Sequence, residues 1–307
     1  MTVAPAERFE QVALMLLLAA RKASSVTPFA AAFSSAQYTE FYQAFVGMGS
    51  GTLNGSNQLV AFNGTNPVCC GPVTFTQGTG TFAESSYDGI IGFARFANGT
   101  ASLDGGEGDG ASTVVVGPAS VDGLHMVFGA PTSPAQLASL AASGTPTATY
   151  SLLGATSATS TQFAGLGTVT PAQGAGQPIL SVDFVSGNVG TDFKVTFPSA
   201  NSSYRVTTSG GLYNLSNSEI ALWNSSTSSA FVGFGVPTSG TGSACASGSC
   251  STEVRGFFAG ANAERAGFTY RIDDNSVGGT AHGAVTAGPG SFRASLLTNI
   301  NAAAVFS

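Results

Sequence analysis

From Ile179 the chain reads Ile-Leu-Ser-Val-Asp-Phe-Val, and from Phe193 it reads Phe-Lys-Val-Thr-Phe, so apolar and polar residues alternate from Leu180 to Phe184 and from Phe193 to Phe197. A period of two sends successive side chains to opposite faces of a strand, one face buried and the other wetted. Shorter runs of strand-forming residues, parted by Gly, Asn and Pro, carry this texture over most of the sequence. In the first half, strands are expected over Gln58–Phe62, Val73–Thr76, Gly80–Ala83, Ile90–Ala97, Ser112–Val116 and Leu124–Phe128. A helix follows over Ser133–Ala142, opened by Ser-Pro and stopped at Gly144.

Beyond Pro146 the strands come in close succession: Thr147–Leu153, Ala164–Thr170, Ile179–Val185, Asp192–Phe197, Tyr204–Thr208, Glu219–Trp223, Ala230–Phe234, Val254–Ala259, Gly267–Ile272 and Gly279–Val285. Many antiparallel strands at such intervals must close as a sandwich or a barrel. Glycines inside these strands let a wall bend sharply or pass beneath a neighbouring ring. The N-terminal segment has a different period. Phe9, Val12, Leu16 and Ala19 recur at helical spacing behind Pro5, and Tyr38, Phe41, Tyr42 and Phe45 give an aromatic face to a second short helix over Ala36–Val46. The first of these is apolar nearly all round, so it is expected to be buried against the β region or another subunit. The pattern divides the chain into a helical segment 1–47, a β-rich region 48–144, a barrel 145–287 and a tail 288–307. In the tail, Phe292, Leu296, Leu297 and Ile300 fit one face of a helix or a strand donated to a neighbouring subunit.

Composition narrows the class. Of 307 residues only 8% are charged, against about 25% in an ordinary domain, and 41 are glycine. Hydroxyls and amides must solvate such a surface, which suits an extracellular or bacterial outer-surface protein. A net charge of −6 with ten Lys and Arg lacks the positive footprint that nucleic acid or an anionic membrane needs. The apolar run Val12–Ala20 is too short to cross a bilayer, and Arg21 and Lys22 follow it, where a signal peptide carries its basic residues in front. No cysteine near the N-terminus could accept a lipid. Cys245 and Cys250 sit in a Gly/Ser loop able to close a local disulfide, as an oxidising compartment allows. Without a companion His, their spacing is a poor zinc site. The adjacent Cys69 and Cys70 are not expected to bond each other.

Candidate chemistry is sparse. His125, in Leu-His-Met-Val-Phe, and His282, between alanines, are the side chains that could ligate a haem iron; ordinary strand histidines are the plainer reading. Asp104, Glu107 and Asp109 cluster carboxylates on a glycine-rich loop, where oxygens could hold calcium or simply face water. Six Asn-x-Ser/Thr sequons, at Asn54, Asn63, Asn98, Asn201, Asn214 and Asn224, are what an Asn/Ser/Thr-rich chain produces by chance. No Gly-x-Ser-x-Gly elbow links a strand to a helix, and no catalytic constellation stands out, so an enzyme is not expected.

One ordered set of motifs goes further. Gly256-Phe257-Phe258-Ala259-Gly260, then Asn262-Ala263-Glu264, then Gly267 and Gly279-Thr-Ala-His-Gly-Ala resemble the terminal hairpin of transferrin-binding-protein-B-like β-barrels, a family that includes bacterial surface and FecR-associated proteins. Upstream, Pro131-Thr132, Thr149-Tyr150-Ser151, Gly154-Ala155-Thr156, Gly165 and Ser181-Val-Asp-Phe fit the same pattern. The match covers about residues 146–287. The resemblance implies an eight-stranded antiparallel barrel filled with side chains and exposed on the bacterial surface. It also implies loops that contact a host or environmental protein, or a haem or iron-related ligand. In this pattern Gly256 and Gly260 would permit tight curvature, Ala261–Ala266 would form one helical turn at the rim, and Gly267 would restart the strand. The fold class expected is mainly β: a C-terminal barrel preceded by short helices and additional strands. A non-enzymatic binding protein is the reading drawn; the alternative is a structural subunit that assembles with copies of itself into an extracellular fibre or layer.

Overall fold

The computed structural model describes residues 28–37, 44–68, 71–106, 112–116, 123–143, 146–246, 248, 250–276 and 278–289. The first nine strands form one sheet: β1 (Phe29–Ser35), β2 (Ala44–Leu53), β3 (Leu59–Thr65), β4 (Pro72–Gln77), β5 (Thr81–Tyr87), β6 (Ile91–Ala97), β7 (Gly99–Asp104), β8 (Ser112–Val116) and β9 (Leu124–Gly129). Their order is β5-β6-β9-β1-β2-β3-β4-β7-β8. The sheet curls around its own aromatic core, where Phe33 meets Phe45, Phe62 and Phe75 at centroid distances of 5.4, 6.1 and 5.5 Å.

Among the described residues one α-helix, α1 (Pro134–Ala141), follows the sheet. Ser133 caps it, its hydroxyl accepting the Gln136 N–H, and proline occupies the first turn, as the Ser-Pro signal predicts. The second half contains β10 (Thr147–Ala155), β11 (Thr159–Ser160), β12 (Thr168–Pro171), β13 (Pro178–Asp183), β14 (Asn188–Phe197), β15 (Ser202–Thr207), β16 (Ile220–Leu222), β17 (Ala230–Thr241), β18 (Cys250–Ala259), β19 (Arg265–Asp274) and β20 (Gly279–Pro289). Eight of these close on themselves in the order β10-β13-β14-β15-β17-β18-β19-β20, with β20 pairing back onto β10 from Tyr150↔Pro289 to Ala155↔Val285. Closure leaves the wall no free edge. The short β11, β12 and β16 are satellites on this wall.

Inward-facing rings fill the cylinder. Phe258 lies 5.1 Å from Phe231, 5.5 Å from Phe184 and 5.6 Å from Tyr150, centroid to centroid. Gly256 faces inward opposite Phe231, and a Cβ there would come within 2.5 Å of that ring. Leu137 of α1 seals one end of the core, and Phe163, Ala244 and Cys245 join it from the other. The Tyr204 hydroxyl and the Cys245 N–H both donate to Asp274 Oδ2, at 3.1 and 2.8 Å, near the disulfide.

Sheet and barrel pack face to face through small side chains. Ala30, Ala32, Val46, Ile91 and Val127 meet Ala230, Val232, Phe257, Ala259 and Ala284. Gly267 is the point of closest approach: a Cβ there would lie 2.3 Å from Val127 Cγ1 and 2.6 Å from Ile91 Cδ1.

Two expectations are corrected. The helix predicted over Ala36–Val46 is absent at its C-terminal end, where Ala44–Val46 open β2 and Phe45 points into the sheet core. Pairing with β1, from Phe29↔Gly49 to Ser34↔Ala44, outweighs a helical spacing of aromatics that carries no cap. Residues 38–43, the helix through Val12–Ala20, Cys69, Cys70 and the tail beyond Pro289 lie outside the described residues. At the rim, Ala261–Ala266 form a turn rather than a helical turn. Gly260 and Ala263 take φ of +87° and +53°, the Glu264 carboxylate accepts the Asn262 N–H at 2.7 Å, and β19 already begins at Arg265.

Candidate binding surface

The loop-bearing wall around β13, β14 and β17 carries the side chains that the core did not take. After β13, Asp183 holds a tight turn: its Oδ1 accepts the Val185 N–H at 2.9 Å, Ser186 Oγ donates to Oδ2 at 3.0 Å, and Gly187 N–H reaches the Asp183 carbonyl at 2.8 Å. With φ of +73° at Gly187, this turn points Val185 outward, 65% exposed. Between β15 and β17 the chain makes a long excursion that folds back over the same strands. Ser181 Oγ donates to the Leu212 carbonyl and Ser218 Oγ to that of Val189. The satellite β16 pairs with β14 at Val189↔Ile220 and with β17 at Ile220↔Gly233.

These anchors fix the two most conspicuous side chains of the excursion. Tyr213 is 70% exposed, and Trp223, the sole tryptophan, is 40% exposed. The backbone N–H of Trp223 is tied to the Ala230 carbonyl at 2.8 Å and that of Leu222 to the Gly187 carbonyl at 2.7 Å, so the main chain here is anchored to β17 and to the turn after β13. Next to it, a bulge between Gly233 and Val236 turns Phe234 outward, with the Arg255 guanidinium 4.1 Å from its ring centroid. Carboxylates around these loops are occupied: Asp183 by its turn, Glu219 by the Ser209 N–H and hydroxyl, Asp192 by Arg205. The chemistry presented is apolar and aromatic, set among hydroxyls and amides.

The residues singled out from sequence fall elsewhere. His125 and His282 meet in the joint between sheet and barrel, both fully buried. His125 Nδ1 and Nε2 bond the hydroxyls of Thr156 and Thr159, each at 2.8 Å. Ser34 gives its proton to the Tyr270 carbonyl at 3.0 Å, so His282 Nδ1–H donates to Ser34 Oγ at 2.7 Å and Nε2 accepts from Thr280 Oγ1 at 3.0 Å. Burial pushes both imidazoles down. For His282, burial and then the Arg271 charge take it to about 3; for His125, burial comes first, followed by the charges of His282 and Arg95. Every ring nitrogen is engaged in this arrangement, so none faces a space in which an iron could sit.

Asp104 is buried, and its Oδ1 accepts the Gly106 N–H at 2.8 Å, while Glu107 and Asp109 lie outside the described residues. Cys245 and Cys250 are joined, with Cα atoms 5.6 Å apart. Among the described residues, the group of metal-ligating side chains within mutual reach is Cys245, Cys250 and Asp274, and there the sulfurs are bonded to each other. Replacing both cysteines with serine is expected to cost about 2 kcal/mol in urea unfolding, as closing so short a loop implies. Wild-type protein in reductant should match the variant, and an unchanged midpoint in both would show that the bridge does not form in solution. Phe257 points to the joint, whereas Phe258 and Gly256 point into the barrel. No described helix is long and apolar enough to cross a membrane.

Sequence reasoning passed over Tyr213, and took Val185, Trp223 and Phe234 for the ends of strands. The available signal was a pair of large aromatics in segments otherwise built of Asn, Ser and Gly.

No family model matches the chain, and no curated protein matches it. Among solved structures it is similar to transferrin binding protein B of Haemophilus parasuis, at 12% identity over 85% of this chain and 44% of that one, with a TM-score of 0.38. It is likewise similar to transferrin binding protein B of Neisseria meningitidis, at 12% identity over 85% of this chain and 43% of that one, with a TM-score of 0.35. The chain thus spans less than half the length of these structures. The eight-stranded closed barrel implied by the terminal-hairpin motif is present in the C-terminal half.

Proposed function

We propose that the chain is a non-enzymatic binding module of the bacterial surface or extracellular space, contacting a protein partner through the loops that carry Val185, Tyr213 and Trp223. One observation supports this above all: large apolar side chains stand exposed on loops that hydrogen bonds hold in place, in a chain that buries most of its other rings. Rigid aromatic anchors of this kind contribute much of the energy of protein interfaces. The low charge and the Cys245–Cys250 bridge fit an oxidising exterior. A protein fits this surface better than haem does, because both imidazoles are consumed in the joint.

The test compares wild type with a Tyr213→Ser, Trp223→Ser double variant against iron-carrying host proteins, transferrin among them, and against haem. Binding to one of the proteins is expected, weakened at least about tenfold by the double change. Unfolding stability should fall by no more than about 2 kcal/mol, because Tyr213 is 70% and Trp223 40% exposed. The haem absorption band should stay unchanged on mixing. Full affinity in the double variant would move the contact surface elsewhere, and binding to none of the proteins would end this reading of the partner.

A further inference from the structure

We propose that the seam between the nine-stranded sheet and the barrel is an acid-opened joint, from which the sheet lifts while each unit keeps its own fold. Each unit has its own aromatic core, and the layer between them is thin, made largely of alanine and valine. Polar contacts across that layer are few: some join hydroxyls and amides to carbonyls, Ser34 to Tyr270, Thr269 to Phe33 and Gly260 to Ala130, and the others depend on titratable groups. His282 of β20 holds Ser34 of β1, and His125 of β9 holds Thr156 and Thr159 of the barrel. Glu84 of β5 accepts the Ser157 N–H at 2.7 Å, and Asp88 takes Arg265 of β19 at 2.6 Å.

What surrounds the two rings offers a new charge no compensation. Facing His125 are Arg95 of β6 and His282; facing His282 are Arg271 of β19 and His125. The nearby carboxylates are spoken for, Glu84 by Arg95 and Ser157, Asp273 by Arg271. Among the described residues, neither ring bonds a carboxylate. A proton added to either imidazole is therefore buried among cations and hydroxyls, and separating the two faces lets water solvate it.

The signs agree across the joint. An unfolded or exposed imidazole takes its proton near pH 6.5, whereas these take theirs only well below, so their contribution is complete above about pH 6.5 and fades as pH falls. Burial raises Glu84 and Asp88, but hydrogen bonds outweigh it, those from Arg95 and Ser157 on Glu84 and those from Ile91 and Arg265 on Asp88. Both carboxyls end below their ordinary range, and acid removes what they hold. On the barrel wall, burial raises Glu253 and Asp273, and acid relieves them. Asp274, inside one end of the barrel, has the opposite sign: burial raises it, yet hydrogen bonds from Ser276, Cys245 and Tyr204 leave it lowered. A test must therefore separate the joint from the barrel.

X-ray scattering, far-UV circular dichroism and the two histidine ring resonances are to be followed on the full chain from pH 7.5 to pH 3. The radius of gyration should rise between about pH 5 and pH 3.5 while strand content holds, and both rings should titrate in step with it. A His125→Gln, His282→Gln variant should open about one pH unit lower or not at all in this range. If that variant does not fold, the wild-type resonances decide the matter alone. Rings that titrate without expansion, or expansion that coincides with loss of strand signal, would overturn the proposal. Failure here would leave the loop-contact reading intact, because Tyr213 and Trp223 lie outside the joint.

Discussion

A Gly267→Leu variant should lose about 3 kcal/mol of stability, the upper end of what overpacking ordinarily costs. Gly267 faces out of β19 toward the sheet, and even a Cβ at that point would sit 2.3 Å from Val127 Cγ1 and 2.6 Å from Ile91 Cδ1. Neither neighbour can yield easily, since Val127 and Ile91 are buried between the two units. Leucine adds three more carbons to a contact that has no room for one, so the sheet must shift away from the wall. Urea unfolding followed by circular dichroism measures the loss, and a chymotrypsin digest should cut the variant faster in the sheet than in the barrel. A wild-type midpoint for Gly267→Leu would mean that the two faces are not in contact at this residue.

Truncating Phe258 to alanine is expected to cost more, about 3–5 kcal/mol. This ring is fully buried and touches Phe231, Phe184 and Tyr150, so it ties β17, β10 and the turn after β13 to β18. Around it the wall is closed by hydrogen bonds, which limits how far the neighbours can collapse into the space left. Phe234→Ala is the companion measurement: the ring is half exposed, and mainly its contact with Arg255 is lost, worth about 0.5–1 kcal/mol. Equal losses at the two positions would mean that the barrel interior is not packed as described.

Legibility in the sequence followed the kind of interaction involved. Ile179–Val185 and Phe193–Phe197 could be read because alternation is local, and their inward residues Leu180, Val182, Phe193, Val195 and Phe197 are fully buried. The Ser-Pro opening of α1 was readable for the same reason: a cap is satisfied within one turn. The segment Ala44–Val46 was misread because its spacing of aromatics serves a strand pair, and the partner strand β1 had not been recognised. The surface at Val185, Tyr213 and Trp223 was invisible because its parts are brought together by β16, a three-residue strand wedged between β14 and β17. His125 and His282 looked like separate strand residues, yet both come to lie in the joint, where a charge on His282 weakens the hold of His125 on a proton.

By itself the sequence determined a mainly β chain, a barrel over its C-terminal half, a local cysteine bridge and a surface too poor in cations for nucleic acid. These depend on period, turn residues and composition, which act over a few positions or over the whole chain at once. Only the tertiary structure decided that the first nine strands form one curled sheet, that Gly267 marks its contact with the barrel, and which rings remain exposed. Those outcomes rest on pairings between distant segments, such as β1 with β9, and on which of two faces finds a partner. An alternating pattern states that one face is buried, and packing chooses what buries it.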